Sequence, residues 1–150
     1  MHKLFSIYLR TLSFLFFLLF FLQARILLAS DLEIIVDNLR NSSGFIRFAL
    51  YNKEYGFPEN EHKIDKIDIQ LESKKMKTVF KNLSPGNYAV AMFHDENGNN
   101  EFDKNFFGFP LEGFGFSNDA KIFFGPPAFK DAVVEVGNVR KTIKIEINYW

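Results

Sequence analysis

Thr142-Ile-Lys-Ile-Glu-Ile-Asn-Tyr149 alternates without a break, with Ile143, Ile145, Ile147 and Tyr149 on one side and Lys144, Glu146 and Asn148 on the other. A two-residue period of this kind belongs to a strand with one buried and one wet face, as in an antiparallel sheet. The same period recurs upstream. Leu32, Ile34 and Val36 alternate with Glu33, Ile35 and Asp37, and Ile46, Phe48 and Leu50 with Phe45, Arg47 and Ala49. Ile67, Ile69 and Leu71 alternate with Asp68 and Gln70. Further strands are expected over 76–81, 88–93 and 132–136. Ser84-Pro-Gly86 supplies a turn before the apolar run Tyr-Ala-Val-Ala-Met-Phe, which reads as a central strand. No helical period competes. About seven short strands predict an all-β fold, an immunoglobulin-like or transthyretin-like antiparallel β-sandwich.

One stretch breaks the alternation. Residues 94–129 are rich in Gly, Pro, Asn and Phe, and a loop this long is usually functional. It holds nine of the fourteen Phe residues that follow residue 30, so it is expected to pack on the sandwich as a long Phe/Gly-rich flap.

The N-terminus has a different character. Lys3, Arg10 and Arg25 are its only charges, and a twelve-residue, largely apolar stretch runs from Thr11 to Leu22. Basic, apolar and small residues in that order read as a secretory signal over 1–30, cleaved after Ala29 or Ser30. The run falls short of the roughly 20 residues that span a bilayer. The expected product is one domain, 31–150, periplasmic or secreted, with no stable membrane span after cleavage. It carries 15 basic and 18 acidic residues, a net of 15 − 18 = −3, scattered and without a basic stripe, which argues against nucleic acid as a partner. The chain has no cysteine, so no disulfide framework stabilises it.

His94-Asp-Glu-Asn-Gly-Asn-Asn-Glu-Phe-Asp103 is the sharpest local motif. Oxygen-bearing side chains recur at Asp95, Asn97, Asn99, Glu101 and Asp103. Such spacing in a tight turn can wrap a calcium ion, which takes six to eight oxygen ligands. The series resembles the opening of an EF-hand loop, but Asn100 stands where that loop has glycine and Phe106 where it has its final acid. A solvated turn held by Asx hydrogen bonds is the competing reading. The expected cofactor is therefore calcium or none. His94 ends a strand and reads as a ligand contact, an acid–base group or a hydrogen-bonded structural residue. Phe107-Gly-Phe-Pro-Leu-Glu-Gly-Phe-Gly-Phe-Ser-Asn118 reads either as an aromatic ligand platform, with Glu112 and Asn118 as its polar contacts, or as filling for the open end of the sandwich. Ser117 lies in no nucleophile motif.

Three segments together resemble a bacterial secreted family, domain-of-unknown-function family 2141. They are Leu83-Ser-Pro-Gly-Asn-Tyr-Ala-Val-Ala-Met-Phe-His-Asp-Glu-Asn-Gly-Asn99, Asp103-Lys-Asn-Phe-Phe-Gly-Phe-Pro-Leu-Glu-Gly-Phe-Gly-Phe-Ser-Asn118 and Gly125-Pro-Pro-Ala-Phe129. The resemblance spans about residues 31–149 and implies an exported β-sandwich with no established activity. It also implies that 94–103 and 107–118 belong to one unit, with Asn100 where members commonly carry glycine.

The leading functional expectation is an exported, non-enzymatic binding or accessory module for a protein or small ligand in the cell envelope. The alternative is a small periplasmic hydrolase using His94 with Glu112 or Asp103.

Overall fold

The computed structural model describes residues 28–123 and 125–150; apart from residues 28–30, the expected signal segment lies outside the described residues. The strands are β1 (Ser30–Asp37), β2 (Phe45–Tyr51), β3 (Asp65–Gln70), β4 (Met76–Leu83), β5 (Gly86–Asp95), β6 (Gly113–Phe116), β7 (Val134–Val136) and β8 (Lys141–Glu146). A four-residue helix, α1 (Phe129–Ala132), precedes β7. Two sheets face each other, one ordered β4–β1–β8 and the other β3–β2–β5–β6, with β7 paired to the start of β5.

The alternation read from the sequence sets which side chains meet between the sheets. Leu32, Ile34, Val36, Phe80 and Ile145 from the first sheet pack on Ile46, Phe48, Leu50, Val90 and Met92 from the second. Each strand sends every other residue inward, so the odd-numbered residues of β2 and β5 are left for the outer face. There, unlike on a solvated antiparallel face, β5 presents Ala89, Ala91 and Phe93, which join a second apolar cluster with Phe114, Phe116 and Ala132. The central-strand reading of β5 was right for this reason: both its faces are covered.

In four places the structure departs from the alternation reading. First, the flap contributes a strand of its own, β6, making eight. Gly-Phe-Gly-Phe has the two-residue period, but its small residues hide the apolar contrast that marks a strand. Second, one pairing is parallel. Because β7 pairs in the opposite sheet, the chain crosses over before β8, which then runs beside β1 in the same direction. Third, β8 ends at Glu146 although the alternation continues, because its tail changes sheets. Asn148 exchanges both backbone hydrogen bonds with Phe114 of β6, at 3.0 and 2.8 Å. This brings Tyr149 and Trp150 to the flap. Fourth, the expected start of a strand at Ala132 is instead the end of α1. Among the described residues, no helix is long and apolar enough to cross a membrane.

Candidate functional site: an aromatic cleft beside a self-bonded acidic loop

The acidic loop follows β5 and turns on two left-handed residues, Gly98 (φ 73°) and Asn100 (φ 71°). Asn100 therefore adopts the conformation that glycine would supply at that position, which Asn tolerates better than most residues. Asp95 is fully buried and organises the turn. The backbone N–H groups of Gly98 and Asn99 donate to its Oδ1 at 2.8 and 3.1 Å. Asn100 N–H and Arg47 Nε donate to its Oδ2 at 3.0 and 2.6 Å. Burial raises the Asp95 carboxyl pKa, but the Arg47 bond and these backbone donors outweigh it and hold the group below its ordinary value.

The rest of the loop bonds to itself. Asn97 Oδ1 accepts from Asn99 N–H and Asn99 Oδ1 from Glu101 N–H, two Asx turns in series. The amide nitrogens of Asn97 and Asn99 both donate to the Asp103 carboxylate, at 2.7 Å and at 3.1–3.2 Å. Of the five residues expected to hold calcium, Asp95, Asn97, Asn99 and Asp103 thus share one hydrogen-bond network, while Glu101 enters it only through its backbone. An ion drawn to Asp95 would compete with the Arg47 guanidinium for the same oxygen. Among the described residues, no group of three or more His, Cys, Asp or Glu side chains is arranged to hold a metal.

Glu112 is buried and ties the loop's two ends together. Glu96 N–H donates to its Oε1 at 3.1 Å and Asp103 N–H to its Oε2 at 3.2 Å. Burial pushes its carboxyl up, and the neighbouring Asp103 and Asp95 charges add to this against the pull of the two N–H donors. His94 faces the interior of the sandwich, in phase with Met92. The Ser43 carbonyl lies 2.8 Å from Nε2, so Nε2 carries the proton, and Nδ1 accepts from the Tyr149 hydroxyl at 2.8 Å. Arg40 packs over the Tyr149 ring and pairs with Glu96. Both ring nitrogens are bonded within the fold and the ring is fully buried, so His94 presents neither nitrogen to a ligand from solvent. Asn118 sits far along the flap in a left-handed conformation, its amide donating to the Asp131 carbonyl at 3.0 Å. His94, Glu112 and Asn118 are each engaged in a different structural bond, and none of them lines the large cavity.

That cavity, of about 870 Å³, lies on the outer face of the second sheet beneath the flap. Cross-strand register builds it in rows. One row reads Asp68–Arg47–Phe93–Phe114 and the next Lys66–Ala49–Ala91–Phe116. Two facing alanines between rows of large side chains leave a trough. Phe102 stands over one wall, 5.5 Å from Phe93 and 6.0 Å from Phe114 between ring centroids. Tyr51 forms the other wall and is locked by a 2.9 Å bond to the Pro58 carbonyl. Burial raises its pKa to about 12, so it remains a donor. At the mouth stand Phe107, Phe109, Phe123 and Trp150, with the Trp150 and Phe109 rings packed at a tilt, 5.7 Å between centroids. Asn105 fixes this lip, accepting from the backbone N–H groups of both Phe107 and Phe109.

Of the segment read as an aromatic platform, Phe107, Phe109, Phe114 and Phe116 line the cavity, whereas its expected polar contacts Glu112 and Asn118 do not. Ala49, Ala91, Tyr51 and Lys66 were missed, although alanine at facing positions on two otherwise large-residue strands is a signal for a trough once the pairing register is known. The fold and cleft define an all-β sandwich with an aromatic-walled recess on the outside of one sheet. The family described as "Uncharacterized protein conserved in bacteria (DUF2141)" matches residues 34–144, and the chain belongs to that family. No curated protein and no solved structure matches it.

Proposed function

We propose that the protein is an exported binding module that takes an apolar ligand in the aromatic cleft. The observation carrying this reading is the Ala49–Ala91 trough, a recess of ligand size with an apolar floor and aromatic walls, its polar and charged side chains gathered around that floor. Export is supported by the basic–apolar–small order of residues 1–30. The hydrolase alternative finds less support: the His94 nitrogens are both engaged, and the oxygens of Glu112 and Asp103 already accept loop donors. Calcium at the acidic loop is a separate reading that rests on its oxygen spacing; the loop's own Asx turns and the Arg47–Asp95 bond favour the plain turn, and the cleft reading depends on neither.

An environment-sensitive apolar fluorophore tests the reading. It should bind one site per chain, and Ala91→Phe, which fills the trough from its floor, should weaken binding more than tenfold with the melting temperature within a few degrees of the parent. Equal binding by parent and variant would place the site elsewhere.

A further inference from the structure

The trough is not symmetric, and its asymmetry selects a class of ligand. It crosses the four strands of the second sheet from β3 to β6, a span of about 14 Å at the usual inter-strand spacing. At the β6 end the alanine row runs into Phe116 with Ile122 beside it, and the cation on that side, Lys104, is drawn onto the Phe102 ring over the neighbouring Phe93–Phe114 row. At the β3 end, Lys66 closes the row that holds the two alanines, and Lys63 lines the same side of the cavity. Between these ends the floor offers only Ala49 and Ala91.

The charges at the β3 end decide which head group fits. Arg47 is committed, with Nε on Asp95 and a terminal nitrogen 3.5 Å from Asp68. Lys66 gives one bond to Asp68 at 3.1 Å, and Lys63 gives one to Asn60. An ammonium has three donors, so each lysine keeps donors to offer. The carboxylates at this end are Asp68, already held by Lys66 and Arg47, and Glu59, which lies near His62 at 3.9 Å. A ligand group arriving here meets spare cationic donors and one uncommitted acid, Glu59, while the third carboxylate of the lining, Glu101, adjoins Phe102.

We propose that the ligand is an amphiphile with one apolar chain and an anionic end. The chain lies along Ala49 and Ala91 toward Phe116, and the carboxylate or phosphate meets Lys63 and Lys66. This deepens the cleft reading and rests on it. A free long-chain acid and an anionic phospholipid share this chemistry.

The test is displacement of the apolar fluorophore from the purified protein by dodecanoate, dodecanol and dodecylamine, each below its aggregation threshold. Dodecanoate should bind at least tenfold more tightly than dodecanol, and dodecylamine more weakly than either. In the double variant Lys63→Ala/Lys66→Ala the acid and the alcohol should bind alike, with the alcohol's affinity unchanged. Equal affinity of acid and alcohol for the parent would overturn the anionic end and leave the cleft intact. Failure of the fluorophore itself to bind would remove the cleft reading beneath it. Co-sedimentation with phosphatidylglycerol vesicles that dodecanoate competes away identifies the phospholipid as the source. Its absence, alongside tight dodecanoate binding, identifies the free acid.

Discussion

Asp95 shows how one residue holds a loop, a strand end and a charged neighbour at once. Its two oxygens satisfy three backbone N–H groups and the Arg47 guanidinium in a site without water access. Asp95→Ala strands those donors and leaves Arg47 without its principal partner, so we expect a loss of about 3 kcal/mol in urea unfolding at neutral pH. The same residue predicts an acid limb. Its folded pKa lies below the unfolded value of about 3.9, so its stabilisation is present above that pH and is lost as pH falls through the folded value. Glu112 acts in the opposite sense. Its pKa is raised, so its contribution is fully present below the unfolded value of about 4.3 and is lost as pH rises through the folded value. The unfolding midpoint measured from pH 6 to pH 2 should therefore fall below about pH 4 in the parent and fall less steeply in Asp95→Asn. Parallel profiles would assign the acid limb to other carboxylates.

At the scale of elements, β6 earns its place by alternating glycine with phenylalanine. Phe114 and Phe116 face the cleft, while Gly113 and Gly115 face β8 and its tail, where a side chain has no room. A Cβ on Gly115 would lie 2.7 Å from the Glu146 carbonyl oxygen and 2.8 Å from Ile145 Cγ2. Backbone cannot step aside as a flexible side chain can. Gly115→Ala is expected to cost about 2 kcal/mol and to weaken fluorophore binding, because the shift in β6 moves Phe114 and Phe116; a variant as stable as the parent would show that β8 yields. The acidic loop, as an element, closes through its own Asx turns and the Glu112 clamp. Melting curves in millimolar calcium and in chelator should therefore coincide. An ion bound at 100 times its dissociation constant would instead add about 2.7 kcal/mol, and a shift of that size, abolished by Asp103→Ala, would establish the calcium reading.

For the whole molecule, the first strand sets a boundary that bears on export. Ser30 is buried and pairs with Leu83 at the edge of the first sheet, while Leu28 and Ala29 are exposed. Of the two cleavage positions suggested by the small residues, the one after Ala29 leaves β1 whole. Mass spectrometry of protein from the native host should accordingly find Ser30 at the N-terminus. An intact Met1 would favour an anchored protein, and a start at Asp31 would show that the Ser30 pairing is dispensable.

The sequence by itself determined the all-β class, the sandwich core and the central place of β5, because strand periodicity is a local property that burial amplifies. Ile34, Phe48, Val90 and Ile145 are legible as core from their spacing alone. It also located the aromatic segment and the left-handed position at Asn100, since both depend on residue type within a few neighbours. Only the tertiary structure decided the rest. That Asp95 bonds an arginine depends on Arg47, which lies forty-eight residues away along the chain. That Gly-Phe-Gly-Phe is a strand depends on what approaches its glycines. The Ala49–Ala91 trough exists only when β2 and β5 pair in one register, and a slip of one residue in either strand would turn its alanine into the core and part the pair. Small side chains carry little signal along a sequence, and their meaning lies in the space that distant neighbours leave around them.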